Sequence, residues 1–339
     1  MKKLSFFAFS MLILLMVSCS EKELIQDPVA ENIIETNSSQ KILPTLKDVT
    51  FNDGRLVFKD MSHYREVIEQ VKDYQDVLDQ LVLQFPDFVS NDAVYESVTY
   101  EDYLANGIEA YADVMYLNEE EDGSLSQEPV ISGHFRSFAS EKGMVQFGDK
   151  IWKINVATVD EFDVSELSSY REGNLEAMRT LNSFDIQIQE VSRNFWKETC
   201  KSEYNVRQGF RNIRKRVTGK VHTFNYSNSW ADIQANRDNR ADVFTRVKHQ
   251  RRIGLVWWGD KADLTISGTV TIDEDLVNTN IISQTGLVVS INGSLSNKMQ
   301  YDKYDRMCND QFCSISFQAV DMNYHAVDGQ GSNSCDCIK

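Results

Sequence analysis

Apolar and polar positions change their period along this chain, and the change falls near residue 200. Met61, Tyr64, Val67, Ile68, Val71, Tyr74, Val77, Leu78, Leu81 and Val82 recur at steps of three and four. That spacing predicts one apolar stripe of a helix. Asp60 stands at the N-cap position, and Pro86 marks the end, because the residue before a proline avoids helical angles. A second helical pattern is predicted over Tyr100–Leu117, with Tyr103, Leu104, Ile108, Tyr111, Ala112 and Met115 on one side. Two shorter signals flank these. "FNDGRLVFKD" (51–60) places the turn Asn52-Asp53-Gly54 before a short strand, and "MVQFGDKIWKIN" (144–155) joins two apolar runs through Gly148-Asp149, a hairpin. Residues 164–199 read as a mixed, partly helical connection.

From residue 216 the period is two. "VTGKVHTFNYS", "ADVFTRVKH", "ADLTISGTVTID", "GLVVSINGSLS" and "CSISFQAVDMNYHAV" alternate or are rich in β-branched residues, and polar turns separate them. Short strands with polar turns predict an antiparallel sheet protein. The expected fold is therefore an α+β domain over residues 48–200, followed by an all-β sandwich or barrel-like domain over residues 201–339.

The start of the chain has a third pattern. Lys2 and Lys3 precede an almost unbroken apolar run, Leu4–Val17, which is shorter than the about 20 residues of a membrane-spanning helix. A basic start and a short apolar run predict a secretory signal over residues 1–18. "MVSCS" resembles the lipobox of bacterial lipoproteins, with Ser18 and Val17 in place and Met16 where leucine is usual. The resemblance implies that Cys19 is lipidated and begins the mature chain. Residues 19–47 are polar and aperiodic and read as a tether. "CSEKE" looks like the acidic tags that send lipoproteins of Bacteroidota to the outer face of the outer membrane. The leader, this tag, "VQFGDKIWKI" and "GLVWWGDKADLTISG" together resemble uncharacterised surface lipoproteins of that group. The resemblance implies an outward-facing outer-membrane location and assigns no active-site residue.

Charge is uneven. The net charge is −16, yet residues 20–192 carry 35 acidic and 13 basic side chains, residues 193–252 carry 5 and 15, and residues 253–339 carry 11 and 5. The basic block holds "RQGFRNIRKRVTGK" and "RVKHQRR". It is expected to face the protein's own acidic half or to wet the outer face of strands; the other reading is that it steers an anionic partner. Beyond Cys19 lie Cys200, Cys308, Cys313, Cys335 and Cys337, four of them near the C-terminus. Outside the cytoplasm these are disulfide candidates whose pairing the sequence leaves open. A bridge within "CDC" would be strained. Their spacing does not match a zinc finger, and no metal or other cofactor is expected.

No catalytic signature stands out. His63, His134, His222, His249 and His325 form no HExxH pattern, and there is no GxSxG elbow or phosphate-binding glycine loop. "NEEEDGS" faintly resembles a calcium loop, but Pro129 occupies the position of the bidentate glutamate. The candidate ligand residues are Arg214, Lys215, Arg216, Arg251, Arg252, Trp257 and Trp258. Adjacent tryptophans on a strand point to opposite faces, so one could meet a sugar ring beside the arginines, while the alternative buries both. The expectation is a non-enzymatic surface binding protein for an anionic glycan or a surface protein partner, attached to the membrane through its lipid, with no nucleic-acid partner. The alternatives are a secreted glycan-active hydrolase with a carboxylate pair unmarked in sequence, and a structural component of an envelope assembly.

Overall fold

The computed structural model describes residues 46–70, 81, 83–131, 135–156, 158–185, 199–226, 240–276, 284–307 and 313–338. The leader, Cys19, the tether as far as residue 45, Cys308, His134, and the stripe positions Val71, Tyr74, Val77, Leu78 and Val82 lie outside the described residues.

The first hairpin is β1 (Thr50–Asn52) and β2 (Arg55–Phe58), with Asp53 and Gly54 both at positive φ in its turn. Helix α1 (Met61–Gln70) follows, and the His63 N–H donates to Asp60 Oδ1 at 2.8 Å, so Asp60 caps it as expected. Its stripe is buried at Met61, Tyr64, Val67 and Ile68. Then come α2 (Asn91–Ser97) and α3 (Tyr100–Asn106). The helix expected over residues 100–117 stops at Asn106. Gly107 has φ of 79°, which an L-residue in a helix cannot adopt, and it turns the chain out. A single 3-10 turn leads into strand β3 (Met115–Glu119), which pairs with β4 (Leu125–Pro129). Met115 thus belongs to a sheet and not to a helical stripe. The first half closes with α4 (Phe135–Phe138), β5 (Met144–Phe147), β6 (Lys150–Ile154), β7 (Thr158–Asp163), α5 (Leu167–Arg171) and β8 (Asn182–Asp185). The hairpin expected at residues 144–155 is β5–β6.

The second half is all strand among the described residues: β9 (Thr199–Gln208), β10 (Arg211–Tyr226), β11 (Arg240–Ile253), β12 (Val256–Gly259), β13 (Ala262–Leu276), β14 (Gln284–Lys298), β15 (Gln300–Met307), β16 (Cys313–Asp328) and β17 (Gly331–Ile338). The described strands form three open sheets. The first has the order β1-β2-β5-β6-β7-β8. The second has the order β3-β4-β12-β11-β10-β9, with β15 also on β11. The third has the order β14-β13-β16-β17. None closes on itself, so the barrel-like alternative does not form. Backbone pairing also crosses residue 200, because β4 runs parallel to β12 with Leu125 opposite Val256 and Ser126 opposite Trp257.

Side chains of the second and third sheets share one apolar core. Val217, Val221, Val243 and Val247 come from one sheet, and Leu264, Ile266, Val270, Ile272, Met322 and Tyr324 from the other. Burying each such side chain contributes about 1.5–3 kcal/mol. The sheets approach closely at Gly219, where a Cβ would sit 2.0 Å from the Tyr324 ring. Only glycine admits that ring. Beside it a Cys200–Cys335 disulfide joins β9 to β17. Cys337 is buried outside this bridge, with its Sγ 3.8 Å from the Gly219 carbonyl oxygen.

Candidate functional site

The site begins with the alternation in β10 and β11. Cross-strand register sets Arg216 opposite Gln250 and Lys215 opposite Arg251, while Arg252 lies opposite Trp257 and Arg251 opposite Trp258. Neighbouring side chains on a strand point to opposite faces. One face of the pair therefore holds Val217, Val243 and Val247, with Lys215 and His249 continuing the same phase toward the sheet end. The other holds Arg214, Arg216, Arg246, Lys248, Gln250 and Arg252.

This second face is neutralised from within. The Arg216 guanidinium donates to both carboxylate oxygens of Glu120, with Nη1 at 2.8 Å, and its Nε donates to Gln250 Oε1 at 2.8 Å. Arg214 pairs with Glu203, and Lys248 pairs with Glu128. Arg246 grips Asp302 with two bonds of 2.6 and 3.1 Å. Asp302 also lies 3.9 Å from Arg136, whose Nε is 2.6 Å from Asp92. Burial works to raise the Asp302 carboxyl, but the Arg246 and Arg136 charges overcome it and hold the group below its usual range. Burial pushes Lys248 down to about 8 against the pull of Glu128. Glu96, which accepts from the backbone N–H groups of Met299 and Gln300, is pushed up to about 7 by burial and then by the neighbouring Asp92 charge.

Both tryptophans are buried, so neither offers the exposed ring that stacking on a sugar requires. Trp257 is 0 % exposed, and Arg216, Arg252, Arg214 and Lys201 stand 4.3, 5.6, 5.7 and 6.0 Å from its ring centre. Trp258 packs in a separate cluster against Tyr95, Val98, Met115 and Met299, with Tyr100 and Tyr103 against its ring. The predicted ligand residues split accordingly. Arg214, Arg216, Arg252 and Trp257 come together, Lys215 points to the opposite face, and Trp258 is remote from the arginine face.

Lys215 leads to a cluster that sequence reasoning missed. Its Nζ contacts Asp328 Oδ2 directly and lies 2.7 Å from Asp260 Oδ2. Buried His249 stands between the same carboxylates, 3.7 Å from Asp260 and 3.6 Å from Asp328. His249 Nδ1 is 2.9 Å from the Asp260 carbonyl oxygen and must donate there; Nε2 then accepts from the Tyr204 hydroxyl at 2.8 Å. Burial holds this imidazole below its usual range. Asp328 Oδ1 accepts from the backbone N–H groups of Gln330 and Gly331, both at 2.8 Å. His249 and the two aspartates offer atoms within 4.8 Å of one another, a spacing a metal could use. The donors do not fit one. The aspartates sit at opposite nitrogens of the ring, one nitrogen is committed to a carbonyl, and the Lys215 ammonium takes the cation position. The signal available in the sequence was Lys215 and His249 falling in the apolar phase of their strands.

No protein-family model matches the chain, and no curated protein matches it. Among solved structures, the chain is similar to a DUF4848 family protein from Bacteroides thetaiotaomicron at 12 % identity and a TM-score of 0.26, over 85 % of this chain and 99 % of that one.

Proposed function

We propose that the chain is an exported lipoprotein, lipidated at Cys19 and held on the outer face of the outer membrane, where it binds an anionic glycan without catalysing a reaction. The lipobox-like "MVSCS" and the acidic tag support the location. The binding reading rests on the end of the second sheet. Phe210 is fully exposed in the β9–β10 turn, and Leu255 is exposed in the β11–β12 turn. Around them Arg207 and Arg252 donate through Nε to the carbonyl oxygens of Gly209 and Gly254. At the same end of the sheet Arg211 stands exposed and Arg251 half-buried, both in the strand phase of Lys215 and opposite to that of Arg252. No carboxylate pairs with Arg207, Arg211, Arg251 or Arg252 among the described residues. Unpaired guanidinium groups beside exposed apolar tips suit sulfate or carboxylate groups on a sugar chain.

This moves the expected ligand face. Arg251 and Arg252 stay in it, Arg214 lies at its border, and Lys215, Arg216, Trp257 and Trp258 leave it because their charges and rings are engaged inside. The hydrolase alternative finds no support in the Asp260–Asp328 pair, since Lys215 holds both carboxylates. The test is salt elution from a heparin column, with heparin as the anionic probe. Arg207→Ala/Arg211→Ala/Arg252→Ala should elute at clearly lower salt with unchanged thermal stability. Phe210→Ala should weaken retention and leave its salt dependence intact. Elution unchanged in both variants would end this reading.

A further inference from the structure

Lys215 and Asp328 meet between the two facing sheets, at the end of their shared core. Lys215 is 4 % exposed, and the Asp328 side chain is 6 % exposed. Their contact joins β10 of the second sheet to the last residue of β16 in the third. We propose that these two side chains condense into an amide, an intramolecular crosslink between the sheets.

Each chemical requirement of the condensation has a group in place. The nucleophile is the Lys215 amine, already against the carboxyl it would attack. The electrophile is Asp328 Cγ. Its Oδ1 sits in a cradle of two backbone N–H groups, those of Gln330 and Gly331, where an oxyanion would form. Its Oδ2 faces Lys215 and is the leaving oxygen. The proton relay is Asp260, whose Oδ2 is 2.7 Å from Lys215 Nζ. His249, 3.6–3.7 Å from both carboxylates, and Tyr204 beyond it complete the wall on that side.

The step balances without a co-reactant. One ammonium proton passes to Asp328 Oδ2, leaving a neutral amine and a neutral carboxyl group. The nitrogen lone pair attacks Cγ, and the carbonyl π pair moves to Oδ1. A second proton leaves nitrogen through Asp260 to Oδ2. The C–Oδ2 bond breaks, water departs, and the amide nitrogen keeps one hydrogen. Asp260 ends as it began. The Lys248–Glu128 pair, which is comparably close, lacks this equipment: the second contact of the Lys248 amine is the Gln127 carbonyl oxygen at 3.4 Å, which cannot relay a proton.

The experiment is peptide mass spectrometry on the mature protein purified from the cells that make it, reduced and digested with chymotrypsin. Cleavage after aromatic residues separates the segment holding Lys215 from the one holding Asp328. A joined pair of these peptides, lighter by one water than their sum, is the expected result. It should be absent in Lys215→Arg, strongly reduced in Asp260→Asn, and restored in Asp260→Glu. Finding only the two linear peptides in the wild-type protein would overturn the proposal, and this reading needs no variant to fold. A full yield of crosslink in Asp260→Asn would remove Asp260 from the relay role.

Discussion

The two faces of β10 and β11 are built from one alternating sequence and are buried by opposite means. Toward the third sheet, Val217, Val221, Val243 and Val247 meet the aliphatic side chains of β13 and β16. On the other side, Arg216, Arg246 and Lys248 meet Glu120, Asp302 and Glu128. Apolar burial is tolerant of exact partners, whereas each buried charge requires a counter-charge in place. The basic block is therefore, for the most part, the complement of the protein's own carboxylates, supplied by β4, the β3–β4 turn and β15. The arginines left over lie at the hairpin tips.

That contrast can be broken most severely at the ionic face. Asp302→Ala should cost about 3–5 kcal/mol, because it strands the Arg246 charge in a buried site; urea denaturation would measure it, and a loss below 1 kcal/mol would mean that solvent reaches this pair. On the apolar face, Leu264→Ala should cost about 2–5 kcal/mol, with the exact figure set by how far the two sheets collapse onto the cavity. The ionic face should also respond to pH. The folded value for Glu96, about 7, lies above its ordinary value of 4.5, so the folded protein holds that proton more tightly. Its contribution is complete below the unfolded value and is lost as pH rises through about 7. Thermal unfolding from pH 4.5 to 8 should show this decline, and Glu96→Gln should flatten it. The smallest effect belongs to the tips. Arg211→Ala should change stability by no more than about 0.5 kcal/mol, in contrast to Arg216→Ala, and paired melting curves would separate the two.

Local features of this fold were legible in the sequence, and long-range partners were not. Asp60 as a cap, the Asn52-Asp53-Gly54 turn, the β5–β6 hairpin and the strand character after residue 216 all follow from neighbours in sequence. The helix over residues 100–117 failed because apolar spacing near Met115 suits a helix or a strand, and Gly107 decided the matter. Pairing of β12 with β4 has no local signal, since parallel partners are chosen by contacts more than a hundred residues apart. The same holds for Cys200–Cys335, one of several pairings open to five cysteines. The candidate residues followed this rule as well. Arg214 and Arg216 stood among the expected ligand residues, but whether their charges were spent inside depended on Glu203 and Glu120, which no local pattern marks.

Strand β11 has β10 along one edge and β15 followed by β12 along the other, and β12 in turn takes β4. This arrangement sets an order of events for a chain that leaves the ribosome N-terminus first. The β3–β4 hairpin cannot dock until residues 256–259 have been made, and Arg136 and Glu96 must wait for residues near 300. Contacts of such separation make folding slow, and they favour a chain that stays unfolded until it is complete. The delay is compatible with the export proposed above, which takes a chain before it folds.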